Sequence, residues 1–311
     1  MLNISFFIPA YNCSKTIAEA VDSIMETNFE DGDELIITND CSPDNTVEVL
    51  KDLKKKYPAI ILLDHKFNKG GAAARNKAIE NSKNELLFCL DADNVLAPSS
   101  IAPLKKYLVD NKADVASFQY QYFFSQDKHT PDYTWFLPEG EFSLQNQLNG
   151  SNTPGQHGNY LFTKQSWINA KGYAEGTGAM DTWTFGLRQA ITGAQMVILK
   201  DTYYYHRLDH ATSYWMRDAE ANVGLVSFKA TYALFPFFDI IDERFLNYML
   251  GEGKYSWFYN LKKKPIKLVD KKDKTEFYKK LNQKLTAFIY PKPTIIQRGI
   301  NRLKRSLRII K

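Results

Sequence analysis

The feature that most constrains the fold is the alternation of short apolar segments with helical patterns over the first 125 residues. Apolar residues recur at helical spacing between these segments, and Asp44 is the expected N-cap of the second helix. Such alternation implies right-handed crossovers and a mostly parallel sheet. The sequence therefore predicts an α/β fold with strands at residues 4–8, 34–38, 60–63, 85–90 and 114–124 and further helices at 70–82 and 99–111.

Beyond the fifth strand the pattern changes twice. Residues 126–215 mix Gly, Pro, Asn and aromatic residues, and they are expected to complete the same sheet. From 216 onwards the pattern is helical. We therefore predict a catalytic domain over 1–215, followed by a helical C-terminal region over 216–311.

Charge is unevenly distributed along the chain. The whole chain has a net charge of +5, but the stretch 261–311 contains seventeen Lys or Arg and three acidic residues. A basic segment of this kind suits an acidic partner or a solvated surface. It lacks interleaved aromatic residues, and no nucleic-acid-binding motif is present, so nucleic acid is excluded as a partner.

The end of this basic segment predicts an amphipathic helix over 294–311. Apolar residues there repeat at spacings of three and four, with basic residues between them. Such a helix suits an anionic membrane surface, and the alternative is a terminal helix docked on the body of the protein. The apolar positions are Ile296, Ile300, Leu303, Leu307 and Ile310.

The sequence also indicates where the protein works. No signal peptide or membrane-spanning segment is predicted, and the three cysteines show no disulfide framework. We expect a cytoplasmic protein, attached peripherally to the inner face of the plasma membrane through 294–311.

Asp91-Ala92-Asp93 follows the apolar residues 86–90, which are predicted to form a buried central strand. Carboxylates two residues apart on extended chain point the same way, and a divalent cation relieves their repulsion. The motif thus predicts a Mn²⁺ or Mg²⁺ site. The alternative is a strand-end turn in which Asp bonds to the local backbone.

Other strand ends and one crossover supply matching motifs in the same order. With these motifs the sequence resembles family 2 glycosyltransferases over about residues 3–215. The resemblance implies the A-type glycosyltransferase fold, with a Rossmann-like sheet, a nucleotide-sugar-binding half at 1–100 and an acceptor half at 101–215. The motifs are Pro9-Ala10-Tyr11-Asn12, Asn39-Asp40, the crossover from Asn68-Lys69 to Arg75-Asn76, and Asp91-Ala92-Asp93.

The resemblance implies a UDP-sugar donor and assigns residues to it. Tyr11 stacks on the base, Asp40 accepts its imide N–H, and Arg75 lies near the phosphates, where its alternative is a surface salt bridge. Asn39 replaces the first Asp of a pair usual in the family. The full donor set is Pro9, Ala10, Tyr11, Asp40, Asn68, Lys69, Arg75, Asp91 and Ala92, of which Asn68 and Lys69 are alternatively solvated loop residues.

The metal is assigned to Asp93 together with a histidine. Family members often place a His three residues before a Ser, and His210 with Ser213 matches that spacing better than His206 does. The metal would neutralise charge on the departing diphosphate.

Asp181 is the implied catalytic base, because it corresponds to the Asp of a Glu-Asp pair that opens a helix in the family. Met180 stands where that Glu is common. Alternatively, Asp181 is only a negative charge at the N-terminus of a helix, where the helix dipole favours it.

Two residues are assigned to the acceptor. Trp183 offers an indole face to a sugar or packs in the core, and His157 lies in the segment that resembles the approach to the acceptor loop.

These assignments describe an inverting transferase that moves a sugar to a hydroxyl of a glycan or lipid-linked acceptor, in bacterial surface-polysaccharide or glycolipid assembly. One alternative is a nucleotidyltransferase on a related sheet, although the loop after the first strand lacks the glycine-rich phosphate motif of that class. The other is a family member that binds UDP or glycans without catalysis.

Overall fold

The computed structural model describes residues 2–149, 153–208, 223–251, 261, 263–270, 275–279 and 283. Within these ranges a single sheet carries helices on both faces. Its strands are β1 (Ile4–Ala10), β2 (Glu34–Asn39), β3 (Ile60–Asp64), β4 (Leu86–Cys89), β5 (Val95–Leu96), β6 (Val115–Phe124), β7 (Tyr133–Phe136), β8 (Gly140–Phe142), β9 (Leu161–Thr163) and β10 (Met196–Arg207).

The helices of the described ranges connect and flank these strands. Short 3₁₀ helices occupy Gly178–Met180 and Phe235–Ile240. The α-helices are α1 (Ile17–Met25), α2 (Thr46–Lys56), α3 (Gly71–Glu80), α4 (Ile101–Asp110), α5 (Leu144–Leu148), α6 (Pro154–His157), α7 (Lys164–Asn169), α8 (Asp181–Ile191), α9 (Val223–Ala233) and α10 (Glu243–Gly251).

The strand order β3-β2-β1-β4-β9-β6-β10-β5 confirms a mostly parallel α/β sheet. The strands β1 to β4, β6 and β10 all run in one direction. The strand β9 lies antiparallel between β4 and β6, and it has three residues, too few for a visible sequence period. The five strands predicted from apolar segments are all present, with ends shifted by at most two residues.

Successive side chains of each strand point to opposite faces of the sheet, and this produces two core layers. In β1, Phe6 and Ile8 pack with residues of α1, α2 and α4, whereas Phe7 packs with residues of α3 and α8. Burying both faces requires near-continuous apolar strands, which is what makes β1 and β4 recognisable in the sequence. The sheet is thus fixed by hydrophobic burial from both sides, and its carboxyl edge is left to polar residues.

The predicted N-cap of the second helix is wrong by one residue. The N-cap of α2 is Asn45 rather than Asp44. The Asp44 carboxylate accepts N–H groups of Ser14 and Thr46, at 3.1 and 3.2 Å. It therefore links the loop after β1 to the start of α2, a contact between segments that a local cap rule does not contain.

In the described part of the C-terminal region, α9 and α10 are helical, whereas residues 263–270 are not and include a β-bridge from Leu268 to Ile241. Residues of α10 and of the preceding 3₁₀ helix share a buried cluster with residues of α8. None of the helices in the described ranges is long and apolar enough to cross a membrane. The predicted amphipathic helix at 294–311 lies outside the described residues, and the boundaries at 100 and 215 remain predictions.

Candidate functional site

The carboxyl ends of β1, β2 and β4 lie side by side at one edge of the sheet. The N–H of Asp40 donates to the carbonyl of Ala10 at 2.8 Å, and the N–H of Leu90 donates to that of Phe7 at 3.0 Å. The residues that follow these strands are therefore neighbours. This is the edge where parallel α/β sheets bind ligands.

Arg75 joins two of the predicted site residues across this edge. Its Nη2 donates to Asp91 Oδ1 at 2.7 Å, and its Nη1 donates to Asp181 Oδ2 at 2.6 Å. The arginine is only 7% exposed, so the surface salt bridge considered as an alternative is wrong. Although burial acts to lower it, the two carboxylates raise the pKa of the guanidinium well above its ordinary value.

Asp181 begins α8 and is 6% exposed. Its Oδ1 accepts the N–H of Thr182 at 2.7 Å, and its Oδ2 accepts from Arg75. Burial raises the pKa of the Asp181 carboxyl, and the Arg75 cation opposes that rise without cancelling it. A carboxylate with a raised pKa is a stronger base than an exposed one, while the ion pair keeps it available in the ionised form.

Asn159, to which the sequence assigned no role, holds Asp91 in place. Its Oδ1 accepts the N–H of Asp91 at 2.7 Å, and its Nδ2 donates to Asp91 Oδ2 at 3.1 Å. The amide is fully buried. The only available sequence signal was its position two residues after His157 in a segment already singled out.

Close helix packing brings Asn159 to this point. A Cβ added to Gly155 in α6 would lie 2.7 Å from the Cα of Gly186 in α8, so both positions require glycine. The two backbones can approach only because neither carries a side chain there. As a result, the segment after α6 reaches the carboxyl end of β4.

Asp93 is exposed at the end of β4, and its carbonyl accepts from Arg207 Nε at 3.2 Å. The two oxygens of Asp91 each accept one hydrogen bond, which leaves acceptor capacity on both. Carboxylate oxygens are the ligands that Mg²⁺ and Mn²⁺ prefer. Asp91 and Asp93 thus fit as part of a metal site.

Within the described ranges, the structure does not bring further metal-binding side chains to these two carboxylates. No group of three or more His, Cys, Asp or Glu that could hold a metal occurs there, and His210 lies outside the described residues. His206 is within them, near Asn94 Nδ2, with 3.4 Å between that nitrogen and its Nδ1. Burial lowers the pKa of this imidazole to about 4, against an opposing effect of Asp91, so His206 is neutral at pH 7.

Asp40, predicted to contact the nucleotide base, is 2% exposed and fixes the loop before α3. Its Oδ1 accepts the N–H of Lys69 at 2.9 Å, and its Oδ2 accepts that of Gly70 at 2.7 Å. His65 Nδ1 lies 2.7 Å from the same Oδ1. The carboxylate therefore has a structural function that the sequence did not reveal, with acceptor capacity left on Oδ2.

The structure also explains why Asn39 stands where an Asp is usual. Its Nδ2 donates to Asp64 Oδ1 at 2.9 Å, and its Oδ1 accepts the N–H of Ser42 at 3.1 Å. An aspartate lacks the amide donor and would place a second carboxylate against Asp64. The departure is thus a local pairing at the ends of β2 and β3.

The other predicted donor residues lie around the same edge. Tyr11 is 46% exposed, as a stacking surface requires, while Ala10 and Ala92 are buried and Pro9 is half-buried. Asn68 and Lys69 are exposed, and Lys69 Nζ lies 5.5 Å from the ring centre of Phe67.

Among the predicted acceptor residues, Trp183 differs most clearly from its predicted role in binding a sugar. It is 7% exposed and packs in the hydrophobic core, so the core-packing alternative is correct and the indole offers no open face to a sugar. Met180 is also buried in this core, because the turn before α8 directs it inwards. His157 lies in α6, but its side chain is outside the described part of the chain.

Comparison with known proteins identifies the family of the chain. The sequence profile named Glycosyl transferase family 2 matches residues 5–170. A poly(ribitol-phosphate) beta-glucosyltransferase from Bacillus spizizenii is 30% identical over 116 residues, which are 37% of this chain and 18% of that protein. The chain therefore matches about a fifth of the length of this curated relative.

Solved structures share the fold at low sequence identity. Staphylococcus aureus TarS 1–349 in complex with UDP-GlcNAc superposes with a TM-score of 0.62 and 17% identity, covering 84% of this chain and 72% of TarS. The mannosyltransferase PcManGT from Pyrobaculum calidifontis, in complex with GDP-Man and Mn²⁺, superposes with a TM-score of 0.53 and 15% identity. That match covers 98% of this chain and 80% of PcManGT.

Proposed function

Because the chain belongs to glycosyl transferase family 2 and has the A-type glycosyltransferase fold, we propose that it transfers a sugar from a UDP-sugar to an acceptor hydroxyl with inversion. The observation that carries this proposal is the buried bridge from Asp91 through Arg75 to Asp181. It joins the strand end expected to hold the donor to the carboxylate expected to act on the acceptor.

The donor lies along the carboxyl edge of the sheet in this proposal. Tyr11 stacks on uracil, and Asp40 accepts the imide N–H through the capacity left on Oδ2. Pro9, Ala10 and Ala92 line the path, while Asn68, Lys69 and Asp91 contact the ribose, sugar or diphosphate. Arg75 acts on the donor by fixing Asp91, since both of its Nη atoms already donate to carboxylates. The complexes of TarS with UDP-GlcNAc and with UDP support the choice of nucleotide.

A divalent cation is the proposed cofactor, held by Asp93 with His210. When bound, it would neutralise the negative charge that develops on the departing diphosphate. PcManGT was solved with Mn²⁺, which supports the same class of metal here.

Asp181 is the proposed base. The acceptor oxygen forms a bond to the anomeric carbon as the bond from that carbon to the UDP oxygen breaks, and the hydroxyl proton passes to Asp181. Burial of Asp181 excludes water and raises its basicity, while Arg75 fixes the position of its Oδ2. Attack from the face opposite the leaving UDP inverts the anomeric carbon.

A glycan or lipid-linked molecule is the proposed acceptor, in bacterial surface-polysaccharide or glycolipid assembly. The relative from Bacillus spizizenii acts, by its name, on poly(ribitol-phosphate), a surface polymer of this kind. A cytoplasmic enzyme attached to the membrane through 294–311 would have access to such an acceptor.

The two alternatives have no specific observation in their favour. A nucleotidyltransferase is opposed by the family match over residues 5–170. A non-catalytic role drew on Met180 and Asn39, but Met180 is a core residue and Asn39 pairs with Asp64. Neither substitution removes a charge from the bridge around Arg75.

Asp93→Ala is expected to abolish metal-dependent release of UDP from the UDP-sugar that the wild type uses. Losing positioned charge stabilisation costs on the order of several kcal/mol in the transition state. The measurement is UDP release against Mn²⁺ concentration, with thermal unfolding as a check on the fold. Asp31→Ala removes another exposed carboxylate, from the loop between α1 and β2, and serves as the matched control. Near-normal turnover in Asp93→Ala would reject the proposed function.

A further inference from the structure

The bridge to Asp91 and Asp181 holds Arg75 at only one end of its guanidinium. Both Nη atoms donate to the carboxylates, but Nε is buried and has no hydrogen-bond partner among the described residues. A planar group held at two points can still tilt about the line that joins them, and a buried N–H without an acceptor is costly. A third contact is therefore needed to fix the plane of the guanidinium.

The ring of Tyr173 supplies that contact. Its centre lies 5.6 Å from Arg75 Cζ, within the range of a cation–π interaction, and Tyr173 is only 2% exposed. Phe185 stacks on the same ring, with 4.1 Å between the ring centres. Phe185 lies one turn after Asp181 on α8, so this one ring joins the guanidinium to the helix that carries its carboxylate partner.

Asn76 fixes the position of Tyr173. Its Nδ2 donates to the carbonyl of Tyr173, and its Oδ1 accepts the N–H of the same residue, both at 2.9 Å. Asn76 follows Arg75 on α3. The backbone that carries the ring is thus tied to the helix that carries the guanidinium.

The hydroxyl of Tyr173 takes no part in these contacts. Its oxygen is buried and has no hydrogen-bond partner among the residues that the structure describes. Burial raises the pKa of the phenol well above its ordinary value, so the side chain stays neutral. What Tyr173 offers to Arg75 is therefore the face of its ring.

We propose that Tyr173 is a positioning residue for the transfer reaction, whose ring face holds the Arg75 guanidinium in the plane in which it meets both carboxylates. The inference rests on the proposed function, because it takes Asp181 as the base. Without the ring face the guanidinium tilts, and the Asp181 carboxylate loses its fixed direction towards the acceptor hydroxyl.

The test varies the electron density of the ring while keeping its shape. Tyr173→Phe keeps the ring face, trifluorophenylalanine at the same position weakens its negative potential, and Tyr173→Leu removes it. We expect wild-type kcat with phenylalanine, a loss of about threefold with trifluorophenylalanine and a loss of about tenfold with leucine, the size of a desolvated cation–π contact. The kcat is measured as UDP release per folded protein in the presence of acceptor.

Phe162 provides the matched control. It is a fully buried ring of the same core and packs on Phe185, with 5.4 Å between the ring centres. Trifluorophenylalanine at position 162 is expected to leave kcat unchanged, because the ring there packs against other aromatic rings.

The Nε–H resonance of Arg75 reports the same contact without turnover. The ring current of an aromatic residue at 173 shifts this resonance, so in protein with isotope-labelled arginine we expect it to move in Tyr173→Leu and to stay close to its wild-type position in Tyr173→Phe. Its absence from the spectrum of Arg75→Lys assigns it.

The outcomes separate positioning from packing. Equal kcat with phenylalanine and trifluorophenylalanine at position 173 would show that the ring only fills space, and would overturn the proposal. A loss of kcat in Tyr173→Phe, or an Arg75 resonance that does not move in Tyr173→Leu, would overturn it too. If the wild type releases UDP from no UDP-sugar, the proposed function fails, and the resonance alone decides whether Tyr173 holds Arg75.

Discussion

Asp181→Asn is expected to lower kcat by about 10²–10⁴-fold while leaving the affinity for UDP unchanged, because a positioned general base contributes rate enhancements of that size. Asparagine keeps the shape of the side chain and an oxygen that accepts from Arg75 Nη1, but it cannot take a proton from the acceptor. The effect should therefore fall on kcat rather than on donor binding.

The pH dependence of the wild type offers a second readout. Asp181 works in its ionised form, so kcat should fall as pH falls through its pKa. Burial raises that pKa above the ordinary value of 3.8, which places the acidic limb at higher pH than for an exposed aspartate. The measurement is kcat against pH for the wild type. Asp52→Asn, on the surface of α2, is the matched control for the Asp181→Asn substitution. A variant at position 181 with more than a tenth of wild-type kcat would contradict the assignment of the base.

Arg75→Met is expected to destabilise the fold by about 3–5 kcal/mol at neutral pH, as when one partner of a buried ion pair is removed. Methionine retains much of the apolar stem but leaves the Asp181 carboxylate without its cation. Urea unfolding followed by circular dichroism gives the free energy of unfolding. We also expect transfer to be lost, because Asp91 and Asp181 both lose a contact that fixes them.

The sign of the pH effect follows from Asp181. Without Arg75, its pKa in the folded state rises further, so the folded variant binds more protons than the unfolded chain between the two pKa values. Stability of the variant relative to the wild type then improves as pH falls through that window, and the full loss appears above it. Adding Asp181→Asn to Arg75→Met should restore part of the stability by removing the buried charge. If Arg75→Met alone were as stable as the wild type at neutral pH, the bridge from Asp91 through Arg75 to Asp181 would not be a structural element.

Local sequence patterns were sufficient to predict the longer strands and helices, which show a clear hydrophobic period. The strands β1, β2, β4 and β6 are buried segments, and the helices α1, α2 and α4 carry clear apolar faces, so these elements follow from periodicity. The strand β3 is an apolar segment that is only partly buried, and α3 is an alanine-rich helix without a one-sided apolar face. The three-residue β9 and the turn-rich stretch around α5 and α6 have no such period. Their positions depend on pairing with β4 and β6 and on the glycine contact between α6 and α8.

The site was predicted as a set of strand ends, but its connections were not. Arg75 and Asp181 are 106 residues apart in the chain, and no local rule pairs them. The same applies to Asn159 and Asp91, which are 68 residues apart. Their carboxylate, amide and guanidinium groups are common on protein surfaces, and only the folded sheet shows that these particular ones are buried against each other.

Departures from the family pattern were informative once the packing was known. Met180 and Asn39 each stand where an acid is usual, and the sequence alone allowed both to be read as loss of function. In the structure, Met180 fills the core beneath α8, and Asn39 bridges Asp64 and the loop at Ser42. Both are substitutions outside the bridge formed by Asp91, Arg75 and Asp181.

The central claim is that this chain transfers a sugar with inversion, and product stereochemistry tests it most directly. The enzyme is incubated with Mn²⁺, poly(ribitol phosphate) and either UDP-GlcNAc or UDP-glucose, and the product is examined by proton NMR. We predict release of UDP and a new glycosidic bond with the anomeric configuration opposite to that of the donor. A product that retains the donor configuration, or the absence of UDP release from both donors in protein that binds UDP, would contradict this account.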